Sequence, residues 1–230
     1  MNGNSAIDFH NQIAAQFARR YKSSPAFGER FRVWTDLFRQ YIRPTDRVMD
    51  LGCGSGVFSH YLAEKGCQVL GIDGSRAMID LCNQRKTARN VQYVQQSLPF
   101  ADSGQYDQQD VVIMSSLLEY VAETELILLQ VNDLLKPNGL LIVSIPNTLS
   151  IYRRAERILF WLTGYPAYFI HTRNRPMEAT FRQQLTGRGF DLLETVYFSG
   201  HDPISRILKP FLVKQYTNNL FVVVCRKREE

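Results

Sequence analysis

The sequence is poor in the features that would mark it for export, metal binding or membrane insertion. It has four cysteines in 230 residues. Cys53, Cys67, Cys82 and Cys225 form no CxxC pair and have no histidine at ligand spacing, so neither a zinc site nor a disulfide framework is indicated. Long apolar runs are missing too. The longest, Ile158 to Ile170, is interrupted by Thr163, Gly164 and Pro166 and falls short of the roughly 20 residues that span a bilayer. Met1 to His10 lacks the basic start and apolar core of a secretory signal. Internal repeats and low-complexity linkers are absent. The formal charge of +5 is mild, and the basic residues fall in short scattered clusters, so no nucleic-acid partner is expected. A cytoplasmic globular protein is expected, long enough for one sizeable α/β domain and short for two.

The chain is organised around Arg47 to Val57. The apolar run Val48–Leu51 reads as a buried strand. It breaks into glycines at alternate positions, Gly52, Gly54 and Gly56, before a helical pattern begins. A strand that opens through a Gly-rich turn into a helix forms a concavity where backbone approaches a ligand closely. Asp73, 21 residues after Gly52, ends the next apolar run at the offset suited to an acid that accepts from a ribose diol. The dinucleotide fingerprint GxGxxG is not met, because Val57 stands where its third glycine would fall.

Around this turn the pattern alternates. Residues 6–42 read as helical, with Ile13, Phe17 and Tyr21 on one stripe and Phe31, Trp34, Leu37, Phe38 and Tyr41 on another, punctuated at Ser23-Ser24-Pro25. Strands are predicted at 47–51, 68–72, 91–95, 110–115 and 139–145. Helices at 55–65, 75–86 and 122–135 lie between them, and Lys136-Pro-Asn-Gly139 is read as a turn. Strand–helix alternation implies right-handed crossovers and a doubly wound, mostly parallel sheet. Further helices are expected at 148–163 and 176–187, and late β runs at 192–199 and 219–226. The chain divides into a helical cap (1–44), a cofactor-binding core (45–146) and a substrate-side part (147–230).

Val48-Met-Asp-Leu-Gly-Cys-Gly-Ser-Gly56 resembles motif I of class I S-adenosylmethionine-dependent methyltransferases. Gly71-Ile-Asp73, Leu98-Pro-Phe100, Met114 to Val121 and Leu135 to Leu140 resemble that family's later signatures in order and spacing. The resemblance implies a Rossmann-like sheet of seven strands with an antiparallel last strand, and S-adenosylmethionine as cofactor. It implies that Gly52, Gly54 and Gly56 let backbone approach the methionine moiety, that Asp50 anchors its ammonium group and that Asp73 accepts the ribose hydroxyls. The family commonly has an Asp a few residues before Leu-Pro-Phe for the adenine; this chain has Ser97 there, with Gln96 as the other candidate. Met114 or Ser115 is expected to touch the cofactor, and Tyr21 to close over it with Phe17.

A small, partly apolar metabolite carrying a hydroxyl or amine is the expected acceptor. Its candidate bases are His171 and His201, each in a loop expected over the carboxyl ends of the strands. His171 and the Gly189-Phe190 ending loosely resemble small-molecule methyltransferases of the ubiquinone type. That type usually has a His where this chain has Tyr120, so it is not assigned. In helix 148–163, Ile151, Ala155, Ile158, Leu159 and Leu162 share one face and Arg153, Arg154 and Arg157 lie opposite. This reads as a lid helix packed by its apolar side, or as a surface helix whose arginines and aromatics meet anionic lipid or an anionic substrate tail. Two other functions fit parts of the pattern: a non-catalytic cofactor-binding partner module, and a nicotinamide-dependent oxidoreductase.

Overall fold

A computed structural model describes residues 5–229. The chain opens with two helices, α1 (Ser5–Ser23) and α2 (Pro25–Tyr41). Pro25 explains the break: at a helix start its missing N–H leaves nothing unsatisfied and its φ is already helical. The alternation follows as β1 (Arg47–Leu51), α3 (Val57–Glu64), β2 (Gln68–Asp73), α4 (Arg76–Arg85), β3 (Val91–Gln95), β4 (Gln109–Ser115), α5 (Thr124–Leu134) and β5 (Leu135–Pro146). Beyond it lie α6 (Ile151–Thr163), a 3-10 turn (Ala167–His171), α7 (Glu178–Thr186), β6 (Phe190–Phe198), α8 (Pro203–Leu208), α9 (Lys214–Thr217) and β7 (Leu220–Lys227).

The seven strands form one sheet in the order β3-β2-β1-β4-β5-β7-β6. From β3 to β5 every pairing is parallel, and β7 runs antiparallel to both β5 and β6. The order of the strands reverses between β1 and β4. Such a switch point leaves a crevice at the carboxyl ends of the two strands, where ligands bind in open α/β sheets.

The central strands are apolar on both faces because helices cover both. On one face Met49, Leu51, Val112, Met114 and Val143 pack with Ile127, Leu128 and Val131 of α5 and with Phe181 and Leu185 of α7. On the other, Val48, Val111, Ile113 and Val222 pack with Trp34, Leu37 and Phe38 of α2 and with Phe58 and Leu62 of α3.

Three expectations change. The stretch Lys136–Gly139 lies inside β5, not in a turn before it. Leu135 already pairs with Gln109, the register shifts before Val111, and Asn138 absorbs the irregularity at φ 62°. Two short helices, α8 and α9, occupy a segment with no predicted element; Asp202 caps α8 by accepting from the Ser205 amide at 2.7 Å. The third change concerns α6, none of whose residues is buried. Ile158, Leu159 and Leu162, expected to face inward, are exposed, and Trp161 is 82% exposed. Arg153 turns inward instead. Its guanidinium donates to Glu156 at 3.0 Å and to the Tyr168 hydroxyl. Both apolar layers of the sheet are already covered by α2, α3, α5 and α7, which leaves α6 no apolar surface to join.

Candidate active site

The carboxyl ends of β1, β2 and β4 open onto a cavity of about 300 Å³. Its floor is the glycine turn, which is pinned to β2 because the amides of Gly52 and Cys53 both donate to the Ile72 carbonyl, at 2.8 and 3.0 Å. Gly52 and Gly54 reach the cavity wall. Gly54 has φ +54°, and a Cβ there would meet only Phe17 at 3.5 Å, so the missing side chain leaves space above the turn. Gly56 serves a different purpose. A Cβ on it would lie 2.8 Å from the Cys82 sulfur and 2.9 Å from the Tyr93 hydroxyl, behind the turn and away from the cavity.

Asp73 stands at the cavity wall at the end of β2. The Gly54 amide donates to its Oδ2 and the Ser75 amide to its Oδ1, each at 2.8 Å. Burial pushes this carboxyl up, while the two amides and the nearby His10 oppose that shift. Each oxygen keeps a lone pair for a further donor. Gln96 and Ser97 also line the cavity, beside Leu98 and Pro99. Gln96 is oriented by accepting from the Tyr106 hydroxyl.

Ser115, at the end of β4, lines the opposite wall and is tied to a residue the sequence reading did not single out. The Arg30 guanidinium reaches from α2 and donates to the Ser115 carbonyl at 2.8 Å and to its hydroxyl at 2.6 Å. Arg30 thus presents a fixed positive charge to the cavity. It lies one helical turn before Trp34, but nothing in the local spacing points to Ser115, 85 residues away.

His10, which is not among the candidate bases read from the sequence, lines the cavity. It precedes Ile13 by three residues and Phe17 by seven, on the stripe that helical spacing already marked. Its Nδ1 lies 2.7 Å from the Ala6 carbonyl, which only accepts, so Nδ1 is the donating nitrogen of that contact. The His10 ring meets Tyr120 edge to face at 5.0 Å.

The other candidates sit elsewhere. Asp50 is 1% exposed and does not reach the cavity wall. Its Oδ2 accepts from the Ser59 hydroxyl at 2.5 Å, and burial pushes its carboxyl up to about 7. Met114 is a fully buried part of the core, because its side chain points to the face opposite its strand neighbour Ile113. Tyr21 packs edge to face on Phe17, Phe27 and Phe58, one layer behind the wall. His171 stacks on Phe9 at 4.7 Å and does not line the cavity. His201 pairs with Glu29 at 3.1 Å and fastens the β6–α8 loop to α2.

Among curated proteins, the ubiquinone biosynthesis O-methyltransferase of Pasteurella multocida is 31% identical over 112 residues, 44% of this chain and 46% of that protein. The carboxy-S-adenosyl-L-methionine synthase of Shewanella loihica is 26% identical over 152 residues, 61% of each. The matched region spans about half to three fifths of the length of these relatives. Among solved structures, the magnesium protoporphyrin IX methyltransferase of Synechocystis PCC 6803, with bound SAH, superposes with a TM-score of 0.72 over 98% of this chain and 99% of that one. At 18% identity this similarity establishes the fold. A methyltransferase-domain family model matches residues 26–195, from α2 into β6, and the chain belongs to that methyltransferase family.

Proposed function

We propose that the protein transfers a methyl group from S-adenosylmethionine to a hydroxyl or amine of a small, partly apolar metabolite. The observation that carries this reading is the cavity at the β1/β4 switch point, where Gly52, Gly54, Asp73 and Arg30 converge. Those residues fit an adenosyl amino acid. Asp73 retains lone pairs for two ribose hydroxyls, Arg30 offers a guanidinium to an amino-acid carboxylate, and the side-chain-free Gly54 leaves room beside them. Gln96 and Ser97 supply polar groups for the adenine edge in place of the Asp common in the family. The buried Asp50 acts on the turn from below, through Ser59 of α3.

The cofactor supplies a methyl already activated on a sulfonium. The protein's part is therefore alignment and exclusion of water, which can supply several kcal/mol of the barrier. His10 is the base in this reading, its Nε2 taking the proton of the acceptor as the new bond to carbon forms. His171 and His201 are released from that role, and the helical cap becomes part of the catalytic wall.

Calorimetric titration with S-adenosylhomocysteine, paired with transfer of labelled methyl into a metabolite extract, tests the proposal. Asp73→Ala should weaken the cofactor product about 10²-fold, the worth of two hydrogen bonds to a charged group. His10→Ala should slow turnover about 10²-fold or more without that loss of affinity, while His171→Ala and His201→Ala stay near wild type. Binding of a nicotinamide dinucleotide in place of S-adenosylhomocysteine would overturn the reading.

The exposed apolar side chains of α6 support a second part of the reading, contact with an anionic membrane surface. Ile158, Trp161 and Leu162, with Tyr165 just beyond the helix, are each more than 60% exposed, and the chain's formal charge of +5 is of the complementary sign.

A further inference from the structure

A second, smaller recess lies beside the main cavity, and Tyr120 lines both. It is bounded by the segment after β5, by α6 and by the 3-10 turn, and encloses about 80 Å³. On the same measure the main cavity holds about 300 Å³, so the recess is the smaller compartment and suits one functional group of a ligand that also enters the cavity. Four arginines line it: Arg153, Arg154, Arg157 and Arg175. Arg153 is already neutralised by Glu156. The other three enter no ion pair among the described residues. Arg154 donates to the Thr148 carbonyl at 3.3 Å and Arg175 to the Phe169 carbonyl at 3.4 Å, which leaves most of their N–H groups unused.

Two residues of its lining carry buried polar atoms without partners. Glu119 is 4% exposed, and its Oε2 has no hydrogen bond; the Thr148 hydroxyl is likewise orphaned. Unpartnered buried polar atoms cost free energy. Phe169 forms an aromatic shelf, with the Arg175 guanidinium 4.6 Å above its ring and Tyr168 stacked at 4.5 Å.

We propose that this recess holds an anionic group of the methyl acceptor, a carboxylate or a phosphate, between Arg154, Arg157 and Arg175, with the rest of the acceptor passing Tyr120 toward the cofactor cavity. The assignment rests on the methyl-transfer reading above, since it names the substrate class for that site. Guanidinium groups fit both anions through paired N–H donors. Burial and the neighbouring Arg157 charge both lower the Arg175 pKa, so an anion would relieve a strain between like charges. Burial also pushes the Glu119 carboxyl up to about 7. A Glu119 carboxyl held in its neutral form does not repel a neighbouring anion as an ionised carboxylate would.

The test is an NMR-detected titration of benzoate, phenyl phosphate and neutral benzyl alcohol, with and without S-adenosylhomocysteine. Saturable binding of an anion, weakened about tenfold or more in Arg157→Gln or Arg154→Gln, is the expected result. Preference for benzoate assigns a carboxylate, and preference for phenyl phosphate assigns a phosphate. Arg175→Gln is a third variant, needed because Arg175 also packs on Phe169; a melting curve on each variant checks its fold. Benzyl alcohol binding as tightly as the anions, no binding of either anion, or unchanged anion affinity in all three folded variants would overturn the subsite. S-adenosylhomocysteine affinity should be the same in all of these proteins. Its failure to bind the wild type would strike the methyl-transfer reading, while the anion titrations would still judge the recess.

Discussion

Helices α2 and α6 look alike as sequence: each has an apolar and aromatic stripe with arginines interspersed. Their fates differ. In α2 Trp34, Leu37 and Phe38 are almost completely buried against the sheet, and Arg30 reaches the active-site cavity from its flank. In α6 Ile158, Leu159, Trp161 and Leu162 face outward, while Arg153 is drawn in toward Glu156 and Tyr168. Amphipathic spacing defines two faces of a helix. Which of them turns inward depends on what surface is still uncovered when the helix packs.

The comparison breaks most sharply on stability. Trp34→Ala should cost about 3–5 kcal/mol, the loss of a fully buried indole and the cavity left behind. Trp161→Ala should stay within about 0.5 kcal/mol. Denaturant unfolding of both variants measures the pair, and equal losses would mean that α6 is packed as firmly as α2.

A smaller effect concerns the two buried carboxyls beneath and beside the site. Asp50 and Glu119 are each raised to about 7 by burial. A carboxyl raised in the folded state binds a proton there that the unfolded chain has already lost. Its stabilisation is complete at low pH and is lost as pH climbs from the unfolded value, near 4, to about 7. The cofactor-free protein should lose at most about 1.4 kcal/mol per pH unit for each group across that window. Asp50→Asn and Glu119→Gln should each flatten the curve. A slope of opposite sign in the wild type would show that both carboxylates are charged and compensated.

The smallest change in fold stability, and the most selective one in behaviour, belongs to the outer face of α6. Trp161→Glu with Leu162→Glu should leave unfolding nearly untouched but abolish co-sedimentation with phosphatidylglycerol vesicles. Undiminished sedimentation would remove α6 as the contact surface.

Strands β1 to β5 were legible because their signals are local: continuous apolar runs and glycine turns lie within a few residues of what they shape, whereas Pro-Asn-Gly, a turn signal by the same rule, was absorbed into β5. Gly52, Gly54, Asp73, Gln96, Ser97 and Ser115 could be placed at the cavity for the same reason. Met114 could not, since a one-residue step along a strand exchanges core for cavity. Arg30 was hidden because its partner, Ser115, lies 85 residues away. Arg153 was misread because Glu156 and Tyr168, which draw it inward, compete with a hydrophobic pattern that has no surface to cover. The Asp202-Pro203 start of α8 was available as a cap signal, but a helix of six residues gives no periodicity to support it.

The cavity is built from two sources. Its glycine floor, its acid and its arginine fall within residues 26–195, the span that the methyltransferase family shares. Ala6, Ile7, His10 and Phe17, which close it from above, come from α1 and precede that span. Such a vessel keeps its glycine floor while the side chains around His10 are exchanged. Change at Ala6, Ile7 or Phe17 can retune which acceptor is admitted, and which atom is presented, with the glycine turn and Asp73 left in place.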